Sequence, residues 1–204
     1  MDNTIYIRPA EPRDRDAAYE VCLKTGDDGR DATALYEDPA ALGRIFVGPY
    51  LELEPALAFV LEDAAGVCGY VLGALDSQRF YRNYADRWLP ASQHRFPAPK
   101  GDPAGWSRTQ RAYHEYHHPE CYCPEPYAEY PSHLHIDLLP RAQGRGWGRR
   151  MTDRLMEALR AMGSPGVHLG VGLANERGIG FYQKLGFVEL ARVRDVLYLG
   201  RKLR

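Results

Sequence analysis

The feature that most constrains this 204-residue chain is the glycine-rich segment LLPRAQGRGWGRR at residues 138–150. Alternating apolar residues predict a strand over Ser132–Leu139, and apolar residues at helical spacing predict a helix over Gly146–Met162. Glycines let the backbone approach a ligand closely, and a helix N-terminus offers unpaired N–H groups and a positive dipole. The sequence therefore predicts a strand–turn–helix unit that binds an anion such as phosphate.

Two familiar phosphate-binding loops do not fit this segment. The Gly-Lys-Ser/Thr of a P-loop is absent, and the Gly-x-Gly-x-x-Gly fingerprint fails from either glycine on which it could start. What remains is Gln-x-x-Gly-x-Gly, filled by Gln143, Gly146 and Gly148, with Arg145 and Arg149 adding positive charge. An ordinary glycine-rich turn is the alternative interpretation.

A second motif follows near the C-terminal end. The pattern predicts a helix over Asn175–Leu185 that is closed by Gly186. Seven residues are almost two helical turns, so Asn175 and Tyr182 are expected within about 20° on one face. They would offer an amide and a phenol to a shared cleft. The alternative is that Tyr182 is a core aromatic residue beside Phe181.

The two motifs, in this order, resemble the GNAT superfamily of acetyl-CoA-dependent N-acetyltransferases. The resemblance covers residues 4–76 and 132–204, and Ile7-Arg8-Pro9-Ala10 adds a weaker match. Three further segments, at 21–29, 45–50 and 131–140, look like the acetyltransferase-like domain of animal O-GlcNAc hydrolases and its free-standing bacterial relatives. The resemblance implies an α/β (α+β) fold with a mixed, mostly antiparallel central sheet flanked by helices.

The resemblance also implies acetyl-CoA as the co-substrate. Under it, the first motif is the pyrophosphate loop and the second a further cofactor motif. The cofactor-binding residues expected on these grounds are Leu138, Leu139, Pro140, Gln143, Gly144, Arg145, Gly146, Trp147, Gly148, Arg149, Asn175, Phe181, Tyr182 and Lys184. No metal is expected.

Acetyl transfer from a thioester to an amine needs a proton acceptor, because an amine of pKa ~10.4 is almost wholly charged at neutral pH. Strand alternation places His133, His135 and Asp137 on one face, so His135 or Asp137 is the candidate base. The alternative is a polar strand face hydrogen-bonded to neighbouring tyrosines. A backbone N–H near Leu138 or Leu139 would stabilise the oxyanion, and Tyr182 would hydrogen-bond the departing thiolate.

Two functions remain open on the sequence. The first is an N-acetyltransferase acting on a primary amine, with protein lysine, N-terminal amine, amino sugar and small polyamine all possible acceptors. The second is a module that binds acetyl-CoA or CoA, is catalytically idle and serves an interaction. A homodimer is also left open.

One domain is expected over residues 1–204, with an insertion at about 77–131 that is rich in Tyr, His and Pro. Two helices are expected in it, over Ser77–Leu89 and over Pro103–His117 with Asp102 as N-cap. The insertion also holds candidate zinc ligands, but Cys-x-Cys is not the usual zinc pair and a proline interrupts the set. These candidates are His114, His117, His118, Cys121 and Cys123. A packed aromatic flap over the acceptor site is the favoured interpretation.

Shorter patterns predict the remaining elements. The expected helices cover Asp14–Lys24 and a segment that Asp38-Pro39 begins and Phe46 ends. The expected strands are Thr4–Arg8, Leu57–Glu62, Val67–Leu75 and Val167–Val171, and two more at about 187–193 and 196–202.

Charge and composition narrow the partners. The net charge is −1, but residues 141–204 carry 13 Lys and Arg against 5 Asp and Glu, which favours an anionic ligand there. Nucleic acid is not expected, because the total charge is near zero. No run approaches the ~18 apolar residues of a membrane span, and Met1–Arg8 has no signal-peptide core. A cytoplasmic location is therefore expected.

Overall fold

The computed structural model describes residues 5–203, in which seven strands form one mixed sheet. The strand order is β1-β2-β3-β4-β5-β7-β6, and every neighbouring pair is antiparallel except β4 and β5. This confirms the mixed, mostly antiparallel sheet expected from the sequence. The strands are β1 (Tyr6–Pro9), β2 (Ala58–Asp63), β3 (Gly66–Ala74), β4 (Ser132–Leu138), β5 (Gly166–Gly172), β6 (Val188–Val193) and β7 (Val196–Lys202).

Helices flank the sheet. Those in the described residues are α1 (Arg15–Leu23), α2 (Ala41–Phe46), α3 (Gly48–Leu53), α4 (Ser77–Asn83), α5 (Leu89–Arg95), α6 (Arg108–His117), α7 (Trp147–Ala161) and α8 (Glu176–Lys184). In this part of the chain, no helix has the length and apolar character needed to cross a membrane.

The strands predicted from the sequence are found within two residues of their expected ends, and Thr4 lies outside the described residues. The second helix begins later than predicted. Its N-cap is Ala40, and Asp38 lies two residues earlier, where its carboxylate accepts hydrogen bonds from the Ala40 N–H at 3.0 Å and the Arg44 guanidinium at 2.5 Å. Helix α3, which follows at once, was not predicted.

The segment between β3 and β4 differs most from the prediction. Its first helix continues to Arg95 through a π-helical turn at Tyr84–Trp88. Its second helix, α6, begins after Ser107, which forms a reciprocal capping box with Gln110. Asp102, the expected cap, instead accepts the Ala104 N–H of a separate 3₁₀ turn at 2.9 Å.

The two faces of the sheet pack against different helices. On one face Gly73 lies so close to α7 that an added Cβ would stand 2.8 Å from Leu155. Alternation along β3 turns Tyr70 to the other face, where it reaches Cys22 of α1. Leu155, Tyr70 and Cys22 are all buried, so one apolar core continues through both layers.

The two halves of the sheet join only briefly. The parallel strands β4 and β5 pair at Ser132 with Val167 and at His133 with His168, and then diverge. Beyond that point the facing edges of β4 and β5 are not paired with each other. A cleft opens in the middle of the sheet as a result.

An ion-pair cluster fastens the first strand to the first helix. The guanidinium of Arg8 donates to both carboxylate oxygens of Asp14, at 2.6 and 2.8 Å, and to Glu62 at 2.6 Å. Asp14 is buried, and its hydrogen bonds to Arg8 hold its pKa below the usual value.

We expect Asp14→Asn to lower the free energy of unfolding by about 2 kcal/mol at neutral pH, because it leaves a largely buried guanidinium short of a partner. The pKa of Asp14 is lower in the folded state, so its contribution is full above its usual pKa of 3.8 and is lost as the pH falls through the folded-state value. Urea unfolding at pH 7 and at pH 3 measures both effects.

Glu189→Gln is the matched control. It removes an exposed carboxylate that also receives two hydrogen bonds from one guanidinium, that of Arg192, both at 2.9 Å. No measurable change is expected, because solvent screens exposed pairs. Equal losses in the two variants would show that burial of the Arg8 cluster adds nothing.

Candidate functional site

A cleft of about 680 Å³ is lined by the C-terminal half of β4, the glycine-rich turn, the start of α7, and α8. Ten of the fourteen residues predicted to bind a cofactor line it. These are Leu138, Gln143, Gly144, Gly146, Gly148, Arg149, Asn175, Phe181, Tyr182 and Lys184. The structure therefore brings the two sequence motifs, some thirty residues apart in the chain, into the lining of one cavity.

The glycine-rich turn forms one end of the cleft. Gly144 and Gly146 have φ values of 74° and 79°, the left-handed region that favours glycine. Gly146 is the N-cap of α7, and no side chain among the described residues caps this helix. The first N–H groups of α7 and its dipole are thus left for a ligand.

Four predicted cofactor-binding residues do not line the cleft. Leu139 is buried and donates its N–H to the Cys68 carbonyl at 2.8 Å. Trp147 is half-buried, with the Arg150 guanidinium 4.7 Å from its ring centroid. Pro140 and Arg145 are exposed outside the cavity. The prediction that these four face the ligand is not supported by their position.

Two helices meet closely beside the turn. A Cβ added at Gly148 of α7 would stand 3.2 Å from the Phe181 ring of α8. Glycine at this position therefore lets the two motifs pack together, which a sequence pattern for phosphate binding alone would not require.

Asn175 and Tyr182 both line the cleft, although not as the two ends of one helical face. Asn175 precedes α8 and is its N-cap, with its side-chain oxygen accepting the Gly178 N–H at 2.8 Å. Tyr182 is 9% exposed, and burial, aided by the charge of Asp137, raises the pKa of its phenol. The phenol therefore stays protonated at every physiological pH.

Strand β4 supplies the central wall. The apolar residues that alternate with His133, His135 and Asp137 along this strand differ in burial. Leu134 is buried, whereas Ile136 and Leu138 are half-buried and line the cleft because β5 has diverged from them.

The backbone of β4 decides between the two predicted oxyanion donors. The Leu139 N–H is directed toward β3, where it is bonded to Cys68. N–H groups alternate in direction along a strand, so the N–H of Leu138 points toward the open side. Leu138 is the candidate that remains.

His133 is buried, which excludes it as a proton acceptor in the cleft. Its Nε2 lies 2.8 Å from the Tyr50 hydroxyl, and its Nδ1 lies 2.7 Å from Ser77 Oγ. Because Ser77 donates its only hydroxyl proton to the Pro131 carbonyl, it accepts from Nδ1. Burial, with the neighbouring His168 and His135, lowers the pKa of His133 well below the usual value. His133 is therefore a neutral structural group.

His135 and Asp137, by contrast, are half-buried and share one partner. The Tyr70 hydroxyl donates to Asp137 Oδ2 at 2.5 Å and lies 2.9 Å from His135 Nε2, while Nε2 and Oδ2 are 3.2 Å apart. Asp137 also lines the cleft. Sequence reasoning missed Tyr70, whose place opposite Asp137 follows only from the register of β3 and β4.

Cys22 lies beside this cluster. Cys22, His135 and Asp137 each place a donor atom within 4.8 Å of the others, the one such trio of metal-binding side chains among residues 5–203. Burial raises the pKa of the Cys22 thiol, which favours the protonated form that binds metals poorly. We therefore describe the cluster as a hydrogen-bond network.

Two histidines of the segment between β3 and β4, His114 and His118, pack among aromatic rings. The rings of His114 and His118 are 4.4 Å apart, and Trp106 stands 5.0 Å from His114. His117 Nε2 lies 2.9 Å from the Phe96 carbonyl. No residue between 77 and 131 lines the cleft, so a flap over the acceptor site stays a prediction.

Cations gather at the cleft. Arg30, Arg149, Arg177 and Lys184 all line it, against the two carboxylates of Asp28 and Asp137. They come from three separate parts of the chain, and together they make the cavity attractive to a polyanion.

A short loop reaches across the cleft from α1. Asp28 and Gly29 both have positive φ values, 51° and 85°, and line the cavity with Thr25 and Arg30. An added Cβ at Gly172 of β5 would stand 2.8 Å from Asp28 Oδ1. The loop thus contacts the far half of the sheet.

Comparisons with known proteins agree with this geometry. The model of the acetyltransferase (GNAT) family matches residues 70–187, more than half of the chain. Protein O-GlcNAcase of Rattus norvegicus is 32% identical over 202 residues, which are 97% of this chain and 22% of that protein. The chain thus spans about a fifth of the length of this curated relative.

Two solved structures show the same architecture. The crystal structure of SsHAT has a TM-score of 0.91 at 42% identity and covers 98% of this chain and 99% of that chain. The structure of YncA from Salmonella typhimurium, solved with its cofactor acetyl-CoA, has a TM-score of 0.57 at 16% identity. It covers 99% of this chain and 95% of that one, and it shares the fold.

We expect Gly172→Ala to loosen the loop that crosses the cleft, because the new methyl group displaces the Asp28 carboxylate. Hydrogen exchange followed by mass spectrometry should show amides of residues 25–31 exchanging about tenfold faster. Gly180→Ala is the control, since a Cβ there meets open space. Unchanged exchange in the loop would mean that the contact does not hold it.

Proposed function

The chain belongs to the acetyltransferase (GNAT) family, and on that premise we propose that it transfers the acetyl group of acetyl-CoA to a primary amine. The observation that carries the proposal is the end of the cleft where left-handed Gly144 and Gly146 leave the N-terminus of α7 uncapped. Free N–H groups at a helix N-terminus bind phosphate oxygens.

The charges of the cleft support a coenzyme A thioester in particular. A diphosphate needs several positive charges as well as N–H donors, and Arg30, Arg149, Arg177 and Lys184 line the same cavity. The apolar lining from Ile136 and Leu138 suits the less polar arm that carries the thioester.

The middle of the cleft supplies the groups for the acyl end. The Leu138 N–H, on the open side of β4, donates a hydrogen bond to the thioester oxygen as negative charge develops there. Tyr182 donates a hydrogen bond to the departing sulfur. Its raised pKa keeps it protonated, so it stabilises the thiolate without needing to transfer its proton.

The amine is the acceptor, and His135 and Asp137 are the groups that remove its proton. Asp137 lines the cavity and its charge acts on the Tyr182 phenol, and His135 Nε2 lies 3.2 Å from Asp137 Oδ2. The proposed acceptor is a protein lysine or a small amine.

A CoA-binding module that does not turn over is the second candidate. It is favoured by one observation, the raised pKa of Tyr182, which makes this phenol a poor proton donor. Asp137 in the cleft wall, with His135 Nε2 3.2 Å from its carboxylate, favours the enzyme, because a binding module needs no proton acceptor there.

Gly146→Asp tests the phosphate site shared by both candidates. We expect the dissociation constant for acetyl-CoA to rise about 100-fold or more, because a carboxylate then stands at the helix N-terminus. Calorimetric titration measures this. Gly163→Asp is the control, because Gly163 lies beyond the other end of α7, has a φ of 88° and also meets open space. Equal affinities in the two variants would contradict the assignment.

Turnover separates the enzyme from the idle module. We expect steady release of the CoA thiol when acetyl-CoA is offered with spermidine, glucosamine or a lysine-containing peptide. Tyr182→Phe should lower kcat by roughly 100-fold and leave the KM for acetyl-CoA nearly unchanged, because the lost hydrogen bond forms as the sulfur departs.

Two results would redirect the proposal. Tight binding of acetyl-CoA with no thiol release from any amine would support the idle module. A Tyr182→Phe variant that loses affinity as much as turnover would make Tyr182 a packing residue.

A further inference from the structure

The phenol of Tyr70 contacts both candidate bases, His135 and Asp137. It has one proton, so it can donate a hydrogen bond to only one of them. Tyr70 is fully buried and belongs to β3, opposite Asp137 in the register of the sheet. Burial, aided by the charge of Asp137, raises the pKa of the phenol well above its usual value, so the proton stays on it. Any catalytic role of the Tyr70 proton rests on the proposed acetyl transfer to an amine.

The proton of Tyr70 points to Asp137. The hydroxyl oxygen lies 2.5 Å from Oδ2 of that carboxylate, and an ionised carboxylate only accepts hydrogen bonds. The same hydroxyl has no second proton to offer to His135. It therefore acts as an acceptor toward the imidazole.

The position of the proton on His135 is set by these two neighbours. Its Nε2 lies 2.9 Å from the Tyr70 oxygen and 3.2 Å from Asp137 Oδ2, and both oxygens accept at this point. Nε2 therefore carries the hydrogen of the neutral ring, and Nδ1 carries the lone pair. Nδ1 makes no hydrogen bond to the described residues, and the side chain is 30% exposed.

We propose that Nδ1 of His135 is the atom that accepts the proton of the amine, and that Tyr70 is the positioning residue that fixes this tautomer. Asp137 Oδ2 already accepts the proton of the Tyr70 hydroxyl, and a carboxylate is ordinarily a weaker base than an imidazole. Its negative charge instead stabilises the imidazolium that forms.

The protons and bonds balance. The ammonium group gives its first proton to Nδ1, from which it passes to solvent through the exposed edge of His135. The amine nitrogen then forms a bond to the acetyl carbon, and the carbon–sulfur bond breaks. The sulfur departs as a thiolate hydrogen-bonded to Tyr182, the nitrogen loses its second proton to solvent, and the thiolate takes up a proton from solvent to become the thiol.

A neighbouring histidine provides the opposite case in the same strand. At His133 the Nδ1–H donates to Ser77 and Nε2 accepts from the Tyr50 hydroxyl. Two phenol–imidazole pairs therefore stand two residues apart with reversed polarity. The first ring is buried and structural, and the second is partly exposed.

Nitrogen-15 NMR of the histidine side chains tests the tautomers without any substrate. We expect the neutral rings of His135 and His133 to be protonated at Nε2 and at Nδ1 respectively, with His135→Gln assigning the first signal. Tyr70→Phe should shift the His135 ring nitrogens and mix its tautomers while leaving His133 unchanged. Tyr50→Phe, the matched control, should do the reverse.

An Nδ1–H tautomer at His135 in the unmodified protein would overturn the inference, and this result needs no variant to fold. If Tyr70→Phe folds, the unchanged His133 signal shows it. In turnover with acetyl-CoA and an accepted amine, Tyr70→Phe should lower kcat by 10- to 100-fold with the KM for acetyl-CoA unchanged, and Tyr50→Phe should lower neither.

The two proposals fail in different experiments. Absence of thiol release with the expected tautomers would end the proposed acetyl transfer, and with it the role of Nδ1 as base. Normal turnover in Tyr70→Phe, with tautomers unchanged, would show that Tyr70 positions nothing.

Discussion

Backbone pairing between β4 and β5 stops after His133 and His168, and the rest of the site depends on that interruption. In a continuous sheet, Ile136 and Leu138 would lie beside β5, and the N–H of Leu138 would donate a hydrogen bond to that strand. Because the strands diverge, the same residues line a cavity, and the glycine-rich turn at the end of β4 faces open space instead of a neighbouring strand. The cleft therefore depends first on where the two strands separate, and only then on the side chains that line it.

Much of this arrangement follows from local sequence. Glycines at 144, 146 and 148 and the apolar spacing of α7 are short-range signals, and both are found where they were predicted. Local signals fail where two neighbours compete for one role. Asp102 and Ser107 are both good caps, and only Ser107 has a glutamine three residues later to complete the box. Tyr70 was missed because its partner is 67 residues away.

Burial explains why similar side chains along β4 have different roles. His133 and His135 face the same side of the strand, yet one is enclosed by Tyr50 and Ser77 and the other remains half-exposed. The sequence could identify the polar face but not the depth of each position. Depth depends on the helices and on the aromatic segment between β3 and β4, which cover the first histidine.

The two reversed phenol–imidazole pairs make the alignment of β4 with β3 a determinant of reactivity. A shift of β4 by two residues relative to β3 would keep every side chain on its own face of the sheet, so the hydrophobic pattern would be preserved. It would nevertheless carry His135 into the enclosed position and leave Tyr70 facing another residue than Asp137. We therefore expect variants with an even-numbered insertion or deletion in β4 to fold stably and to lack catalytic activity.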